Sequence, residues 1–263
     1  MPIVLVVEYD GTDFHGFARQ PGQRTVAGVL ADALARIEGQ NLELFGAGRT
    51  DSGVHARGQT VHFESRLPIP PCRWQKVLNR SLPRDLRVRS ARKEPEGFHA
   101  RFSATSRVYR YTWLCRAYAS PFATRFAYHE PKPLQVERMN EAAQAFVGEH
   151  DFRALAKAEA WKGSTCRCIL AANVRRTGPH VRFDVEGTGF MQGMVRMMAG
   201  ALSEIGLGRW DILEARRLVE EPVSARRPPM LPAHGLCLMK VNYARKGHDA
   251  RSAPDKWTDE EDE

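Results

Sequence analysis

The chain has 263 residues, of which 43% are hydrophobic, enough to bury one large domain or two smaller ones. Its formal charge of +8 is unevenly spread, because the segment from Gly247 to Glu263 holds seven acidic and two basic residues and leaves +13 on the rest. An arginine-rich basic body is typical of a protein that binds nucleic acid or another polyanion, although a merely soluble basic protein would carry the same charge.

Patterns of apolar and turn-forming residues predict an α+β chain. Strands are predicted where apolar residues alternate or β-favouring residues cluster, at Ile3 to Tyr9, Leu42 to Phe45, Thr60 to Glu64, from Leu86 to Val88 onward, Arg107 to Leu114, Asn173 to Arg176, Val181 to Val185 and Leu236 to Tyr243. Helices are predicted where apolar residues recur at helical spacing, at Val26 to Ile37, around Trp74 to Leu78, Val136 to Val147, Phe190 to Ile205 and Asp211 to Glu220.

Local stop signals support several of these boundaries. Thr25 is a predicted N-cap and Gly39 the stop of the first helix, and Gly178-Pro179 predicts a hairpin turn. A boundary near Ser103 would divide the chain into similar halves, residues 1–103 and 104–245. The acidic tail, residues 246–263, is expected to be disordered.

Cysteine usage and the start of the chain bear on where the protein works. Five cysteines form no pairing framework, and Cys166-Arg167-Cys168 lacks the spacing of a zinc site, so we expect reduced thiols. Met1 to Leu5 lacks the basic region of a signal peptide, and no apolar run approaches a membrane span. We therefore expect a cytoplasmic protein without a membrane partner.

A polar loop between two predicted strands is the strongest candidate for chemistry. Gly48 to Ala56 contains an arginine, two hydroxyls, a carboxylate and an imidazole between glycines. Conspicuous loop residues presented by strands often serve function. By spacing alone, an Asx turn at Asp51 with a solvated Arg49 is the better interpretation.

Two further features could contribute to a site. Tyr109, Tyr111 and Trp113 share one face of a predicted strand, which is usually core, although one exposed ring could stack on a base. Arg196 points away from the apolar face of its predicted helix, among small residues that would let solvent, a strand or a carboxylate approach. A buried pair of Asp and Arg would keep the acid ionised.

Taken together, the chain resembles the bacterial tRNA pseudouridine synthase A family. The resemblance is carried, in family order, by six blocks of sequence, which are Tyr9 to Phe17, Gly46 to Ala56, Phe98 to Ala104, Ser106 to Tyr111, Phe190 to Arg196 and Pro232 to Leu238. The chain departs from the family at Phe17-Ala18, where Trp-Gln is frequent, and at Met197, where Asn is frequent.

The resemblance implies isomerisation of uridine to pseudouridine at positions 38, 39 and 40 of the tRNA anticodon stem-loop. This reaction needs no cofactor and no metal. The implied fold has two α+β halves whose antiparallel sheets merge into one central sheet, with the active-site cleft between them. The implied partners are tRNA, bound through its anticodon arm, and a second copy of the chain in a homodimer.

By match to the family motifs, Asp51 is implied to be the essential acid, acting either as nucleophile or as base. Tyr109 is implied to stack on the target uracil and to help remove its C5 proton. Arg196 is implied to pair with Asp51 and keep it charged.

Three other residues are implied to contact the substrate. Leu236 would pack against the base edge, and Arg49 would fill the space left by the extracted nucleotide, offsetting part of the cost of unstacking. His55 would have a structural or backbone-contacting role rather than a catalytic one.

Three other classes of protein fit parts of the sequence. A non-catalytic RNA-binding protein explains the charge but not the Asp51 loop. A carboxylate hydrolase of glycosidic bonds needs a second positioned acid, and the sequence offers no convincing one. A metal enzyme using Asp51, His55 and His62 needs further ligands.

Overall fold

The computed structural model describes residues 1–157 and 163–244, so the acidic tail lies outside the described residues. The strands are β1 Ile3–Tyr9, β2 Phe45–Gly46, β3 His55–Phe63, β4 Leu86–Lys93, β5 Ala104–Leu114, β6 Tyr128–His129, β7 Gly148–Asp151, β8 Cys166–Thr177, β9 His180–Gly187 and β10 Leu236–Tyr243. The helices are α1 Val26–Glu38, α2 Pro71–Asn79, α3 Val136–Ala143, α4 Met194–Gly206 and α5 Leu213–Glu220. The predicted α+β class is confirmed.

One sheet runs through the described part of the chain in the order β4-β1-β3-β10-β5-β9-β8-β7, with β2 beside β3 and β6 beside β5. The strand β10 joins the early and late parts of the chain, since it pairs parallel with β3 and antiparallel with β5. The last described strand therefore lies in the middle of the sheet. The division into two halves at Ser103 stays a prediction.

The register assigns side chains to two faces of the sheet. Tyr109 lies opposite Leu238 on β10 and Val185 on β9, and these apolar residues pack with α1 and α4 in the main core. We call this the core face. Arg110 lies opposite Cys237 and Asp184 on the other side of the sheet, which we call the opposite face.

The first helix forms where its caps predict. The Thr25 hydroxyl accepts a hydrogen bond from the N–H of Gly28, which satisfies a free donor of the first turn. Gly39 ends the helix in the left-handed conformation at φ 71°. The predicted hairpin is confirmed as well, because Thr177 pairs with His180 across Gly178-Pro179.

Several predicted boundaries are wrong. The strand predicted from Leu42 is reduced to Phe45–Gly46, where pairing with β3 begins. β3 starts at His55 rather than Thr60, so two residues of the polar loop belong to a strand. The helix predicted from Phe190 starts at Met194, because Gly193 at φ 77° interrupts it. The helix predicted to Val147 ends at Ala143 and continues as a 3-10 turn.

The five cysteines form no disulfide among the described residues, as expected. Across residues 1–157 and 163–244, each helix is too short or too polar to cross a membrane.

Candidate active site

Asp51 lies in a tight turn between β2 and β3. The N–H of Val54 donates to the carbonyl of Asp51 at 3.2 Å, which closes the turn. Gly53 has φ 77°, a conformation that side-chain-bearing residues rarely adopt. The Asp51 side chain is 24% exposed, so the turn presents its carboxylate at the edge of the core rather than in open solvent.

The turn is held by the segment from Gly11 to Phe17. Backbone hydrogen bonds run from Phe17 N–H to the carbonyl of Thr50 at 3.1 Å and from Gly53 N–H to the carbonyl of Phe14 at 3.3 Å. A Cβ on Gly11 would overlap the carbonyl oxygen of Val54. Two blocks of sequence some 40 residues apart therefore form one interlocked unit around Asp51.

A buried network of polar side chains also supports the Asp51 turn. The hydroxyls of Tyr9 and Thr50 are 2.8 Å apart, and Gln59 donates from Nε2 to the carbonyl of Gly48 at 3.0 Å. Burial raises the pKa of Tyr9 far above its usual range, so its hydroxyl is neutral. The residue immediately before Asp51 is thus fixed by its side chain as well as by its backbone.

The carboxylate of Asp51 has partners from the region around the start of α4. Gln192 Nε2 donates to Oδ1 at 3.2 Å, and Arg196 Nη1 lies 3.6 Å from Oδ2. Arg196 also donates from Nε to the carbonyl of Leu231 at 2.7 Å. The contact with Gln192 joins residues 141 positions apart, and each carboxylate oxygen lies near a donor.

Small residues on α4 allow a further segment to approach Arg196. A Cβ on Gly200 would overlap the carbonyl of Pro229. Arg196 and Leu231 are joined by two hydrogen bonds. Besides the bond from Arg196 Nε to the carbonyl of Leu231, the N–H of Leu231 donates to the carbonyl of Arg196 at 3.3 Å. Of the possibilities that the sequence left open, the carboxylate occurs, and the segment that packs here, from Pro229 to Leu231, is a loop rather than a strand.

Tyr109 stands on the core face of β5 with its ring edge against Phe190, at 5.2 Å between centroids. Burial raises the pKa of its hydroxyl well above the usual range, Arg107 lowers it, and the Asp51 carboxylate raises it. Tyr111 and Trp113 are fully buried, whereas Tyr109 is 9% exposed. The aromatic residues of this strand are therefore mainly core. Tyr109 is the one whose pKa is affected by the Asp51 carboxylate.

Leu236 and Arg49 lie near the Asp51 turn, but Leu236 is buried and Arg49 is exposed. Leu236 is buried at the start of β10, opposite Tyr111 on the core face. The segment before it touches the Asp51 turn, since a Cβ on Gly53 would lie 3.3 Å from Cβ of Ala233. Arg49 is exposed, two residues before Asp51.

His55 is not brought to Asp51. It lies opposite Cys237 of β10, on the opposite face, and its ring packs against Phe126 at 4.9 Å. The N–H of Gly11 donates to Nδ1 at 3.0 Å, and Oδ1 of Asp10 lies 3.2 Å from the same nitrogen. Burial lowers the pKa of His55, against the raising effect of Asp10. Its contact is with the backbone of the segment that holds the turn.

Two residues near the site were missed in the sequence. Gln192 and Arg107 stand inside the blocks of resemblance, but their side chains carry no distinctive spacing. Arg107 donates from Nη1 to the carbonyl of Thr188 at 2.8 Å and from Nη2 to the carbonyl of Ala47 at 3.0 Å. It therefore fastens the strand of Tyr109 to the segments that lead into Gln192 and Asp51.

A cavity of about 920 Å³ lies elsewhere, on the opposite face, and is lined by His55, Arg110 and Cys237 among others. Asp51, Tyr109 and Arg196 do not line it. The cavity and the candidate site do not coincide, because the carboxylate, its donors and the aromatic ring converge on the core face. Within the described residues, no three His, Cys, Asp or Glu side chains are grouped to hold a metal ion.

The chain is similar to known proteins over most of its length. A family model described as tRNA pseudouridine synthase matches residues 5–103 and 142–244. The protein named tRNA pseudouridine synthase A from Brevibacillus brevis is 39% identical over 238 residues, 90% of this chain and 98% of that protein. Proteins of the same name are 38% identical in Oceanobacillus iheyensis, over 92% of this chain and 97% of that protein, and 41% identical in Halalkalibacterium halodurans, over 91% and 92%.

Proposed function

Because this chain belongs to the tRNA pseudouridine synthase family, we propose that it isomerises uridine to pseudouridine at positions 38, 39 and 40 of the tRNA anticodon arm. The observation that carries the proposal is Asp51, which is presented by a rigid turn with Gln192 and Arg196 on its two oxygens. The basic charge of the chain supports a polyanionic substrate.

In this reaction the bond between N1 of uracil and C1′ of ribose breaks and the base turns. A bond then forms between C5 and C1′, C5 gives up its proton, and N1 takes one. Asp51 either attacks the sugar as a nucleophile or removes a ribose proton as a base. Arg196 pairs with the carboxylate in both cases, since its Nη1 lies 3.6 Å from Oδ2.

The other site residues act on the base and its surroundings. Tyr109 stacks on the uracil and takes part in removal of the C5 proton. Leu236 packs against the edge of the base, and the exposed Arg49 fills the space that the flipped nucleotide leaves. His55 acts indirectly, by holding Gly11 against the catalytic turn.

The setting of the reaction is proposed from the same family resemblance. The isomerisation changes no oxidation level and transfers no group to a second molecule, so we propose that no cofactor takes part. We also propose that the enzyme works in the cytoplasm as a homodimer whose two copies share one tRNA.

Asp51→Asn tests the function directly. The substitution keeps the shape and the hydrogen bond from Gln192 but removes the negative charge, so we expect folded protein that binds tRNA and forms no pseudouridine. The measurement is pseudouridine in an unmodified tRNA transcript, incubated with purified protein in EDTA. Asp32→Asn, on the exposed surface of α1, is the matched control and should keep full activity.

The possible products separate the alternatives. Free uracil released by the parent protein would indicate a glycosidic hydrolase, and bound but unchanged tRNA would indicate a non-catalytic RNA-binding protein. Activity lost in EDTA would indicate a metal enzyme. Measurable turnover by Asp51→Asn would remove Asp51 from the catalytic role.

A further inference from the structure

An exposed aromatic residue lies on a turn that shares a hydrogen-bond donor with the segment entering the catalytic turn, and it has no part in the function proposed above. Phe102 is 76% exposed, on the turn His99–Ser103 between β4 and β5. An isolated exposed apolar side chain needs no explanation. Phe102 differs because its ring is already held in place and is accompanied by a cation.

One side of the Phe102 ring is occupied by His99, at 4.4 Å between centroids and 33° between planes. His99 lies in turn against Phe45, at 5.1 Å. The three rings are tilted against one another and form a row of contacts that begins at β2 and ends at the exposed Phe102. Most of the last ring remains accessible to a further aromatic group, because Phe102 is 76% exposed.

The turn that carries Phe102 is closed by its own hydrogen bonds. The N–H groups of Arg101 and Phe102 donate to Nδ1 of His99, at 3.1 and 3.4 Å. Ser103 N–H donates to the carbonyl of His99 at 2.9 Å, and the hydroxyl of Ser103 accepts from His99 N–H at 3.0 Å. The backbone that carries the ring is therefore ordered before a ligand binds, which lowers the entropy cost of binding.

Arg107 joins this turn to the active site. Its Nη2 donates to the carbonyl of Arg101 at 2.8 Å and to the carbonyl of Ala47 at 3.0 Å. Ala47 is four residues before Asp51 and two before Arg49. The same nitrogen thus fastens the Phe102 turn and the segment that enters the catalytic turn.

We propose that Arg101 and Phe102 form an RNA-binding surface on which an unpaired base of the substrate, next to the target uridine, stacks against Phe102. The proposal rests on the function proposed above, because that function supplies an RNA with one base flipped out. Arg101 is exposed, and its guanidinium lies 5.6 Å from the centroid of the Phe102 ring.

The chemistry of this surface favours RNA over a protein partner. A base bears a flat aromatic face that matches the exposed ring, and it is followed by a phosphate that matches Arg101. Arg49 adds a second exposed cation on the neighbouring turn. An apolar protein partner would match the ring and leave both cations without an anion.

The test measures binding of tRNA by the parent protein and by Phe102→Ala, with Phe102→Tyr as the variant that restores stacking. Loss of one stacked base weakens affinity by about tenfold, so we expect a Kd about tenfold higher for Phe102→Ala and near the parent value for Phe102→Tyr. The matched control is Tyr118→Ala, since Tyr118 is 63% exposed and has Arg116 over its ring at 4.6 Å. We expect that control to bind tRNA like the parent.

An abasic scan identifies the stacked nucleotide. Transcripts that lack one base at a time in the anticodon arm are bound to the parent and to Phe102→Ala. At one position the two losses should not add, because base and ring make the same contact. Losses that add at every position, or an unchanged Kd for Phe102→Ala, would contradict the proposal. A changed mass in sedimentation with unchanged tRNA binding would assign Phe102 to a contact between copies of the chain instead.

The same experiment distinguishes this proposal from the proposed function. If the parent protein binds tRNA but makes no pseudouridine, and the abasic scan still finds one coupled position, the RNA-binding surface stands and the catalytic function fails. If the parent makes pseudouridine and Phe102→Ala binds normally, the function stands and the surface fails.

Discussion

Asp51 owes its position to backbone contacts rather than to its own side chain. The carbonyl of Thr50 and the N–H of Gly53 are both bonded to the Gly11–Phe17 segment, and they flank Asp51 on either side. The side chain itself is left to interact with Gln192 and Arg196. The two carboxylate oxygens therefore have no part in holding the turn and interact with other residues of the site instead.

Tyr109→Phe tests the proposed proton transfer at C5. The ring and its contact with Phe190 remain, and only a hydroxyl is removed, so we expect tRNA binding within about twofold of the parent. Proton transfer by a positioned side chain contributes about 10²- to 10⁴-fold, and we expect the rate to fall within that range. The measurement is single-turnover formation of pseudouridine, alongside release of tritium from C5 of labelled uridine.

Tyr118→Phe is the control for this substitution, because it removes a hydroxyl from an exposed tyrosine elsewhere. A parental rate for Tyr109→Phe would restrict Tyr109 to stacking. A weakened Kd with an unchanged rate would show that the hydroxyl binds the RNA and moves no proton.

The interlocking of the Gly11–Phe17 segment with the catalytic turn gives a prediction at the scale of elements. In Gly11→Ala the added Cβ would overlap the carbonyl of Val54, which is backbone and moves only with the turn. Inserting a methyl group into packed structure costs about 1–3 kcal/mol, so we expect that decrease in the free energy of unfolding, measured in urea. Activity should also fall, because Asp51 moves with the turn.

Gly48→Ala is the control for stability, since a Cβ there meets nothing within 4 Å. We expect its free energy of unfolding to equal or slightly exceed that of the parent, because alanine restricts the unfolded chain. Equal stability of Gly11→Ala and Gly48→Ala would mean that the two segments are not tightly interlocked.

The elements that the sequence predicts well are those whose signals are local. Thr25 and Gly39 fix α1 because a cap acts within one turn of the helix. β2 and α4 are predicted poorly for a different reason. β2 forms only at the two residues that pair with β3. α4 begins later than predicted because Gly193 has a left-handed backbone conformation, which the spacing of apolar residues does not reveal.

At the scale of the whole molecule, the site depends on pairings that no local pattern shows. β10 lies between β3 and β5, and this places the segment before Leu236 beside the Asp51 turn. The proximity of Asp51 and Arg196 was implied by resemblance to a family and not by spacing. Residues of one block of sequence need not share a site. His55 is only four residues after Asp51, yet its side chain lies on the opposite face of the sheet.

Buried tyrosines make the stability of the whole molecule depend on alkaline pH. Burial raises the pKa of Tyr9, Tyr109, Tyr111 and Tyr243 above the ordinary value of 10, in the last case to about 12. These four are the majority of the six tyrosines in the chain. In the unfolded chain their hydroxyls ionise near pH 10.

Above pH 10, therefore, the folded state holds more protons than the unfolded state, and the free energy of unfolding falls as pH rises. The stabilisation is complete below pH 10 and is lost as pH rises through the raised values, by up to about 1.4 kcal/mol per pH unit for each hydroxyl.

We expect the urea midpoint to fall between pH 9 and 11. Absorbance of phenolate at 295 nm should rise on unfolding at pH 11 but not at pH 8. Tyr9→Phe should reduce the difference in bound protons between the folded and unfolded states by one, and so make the pH dependence less steep. A urea midpoint that stays constant from pH 9 to 11 would contradict the prediction, because these hydroxyls would then ionise as freely in the folded protein as in the unfolded chain.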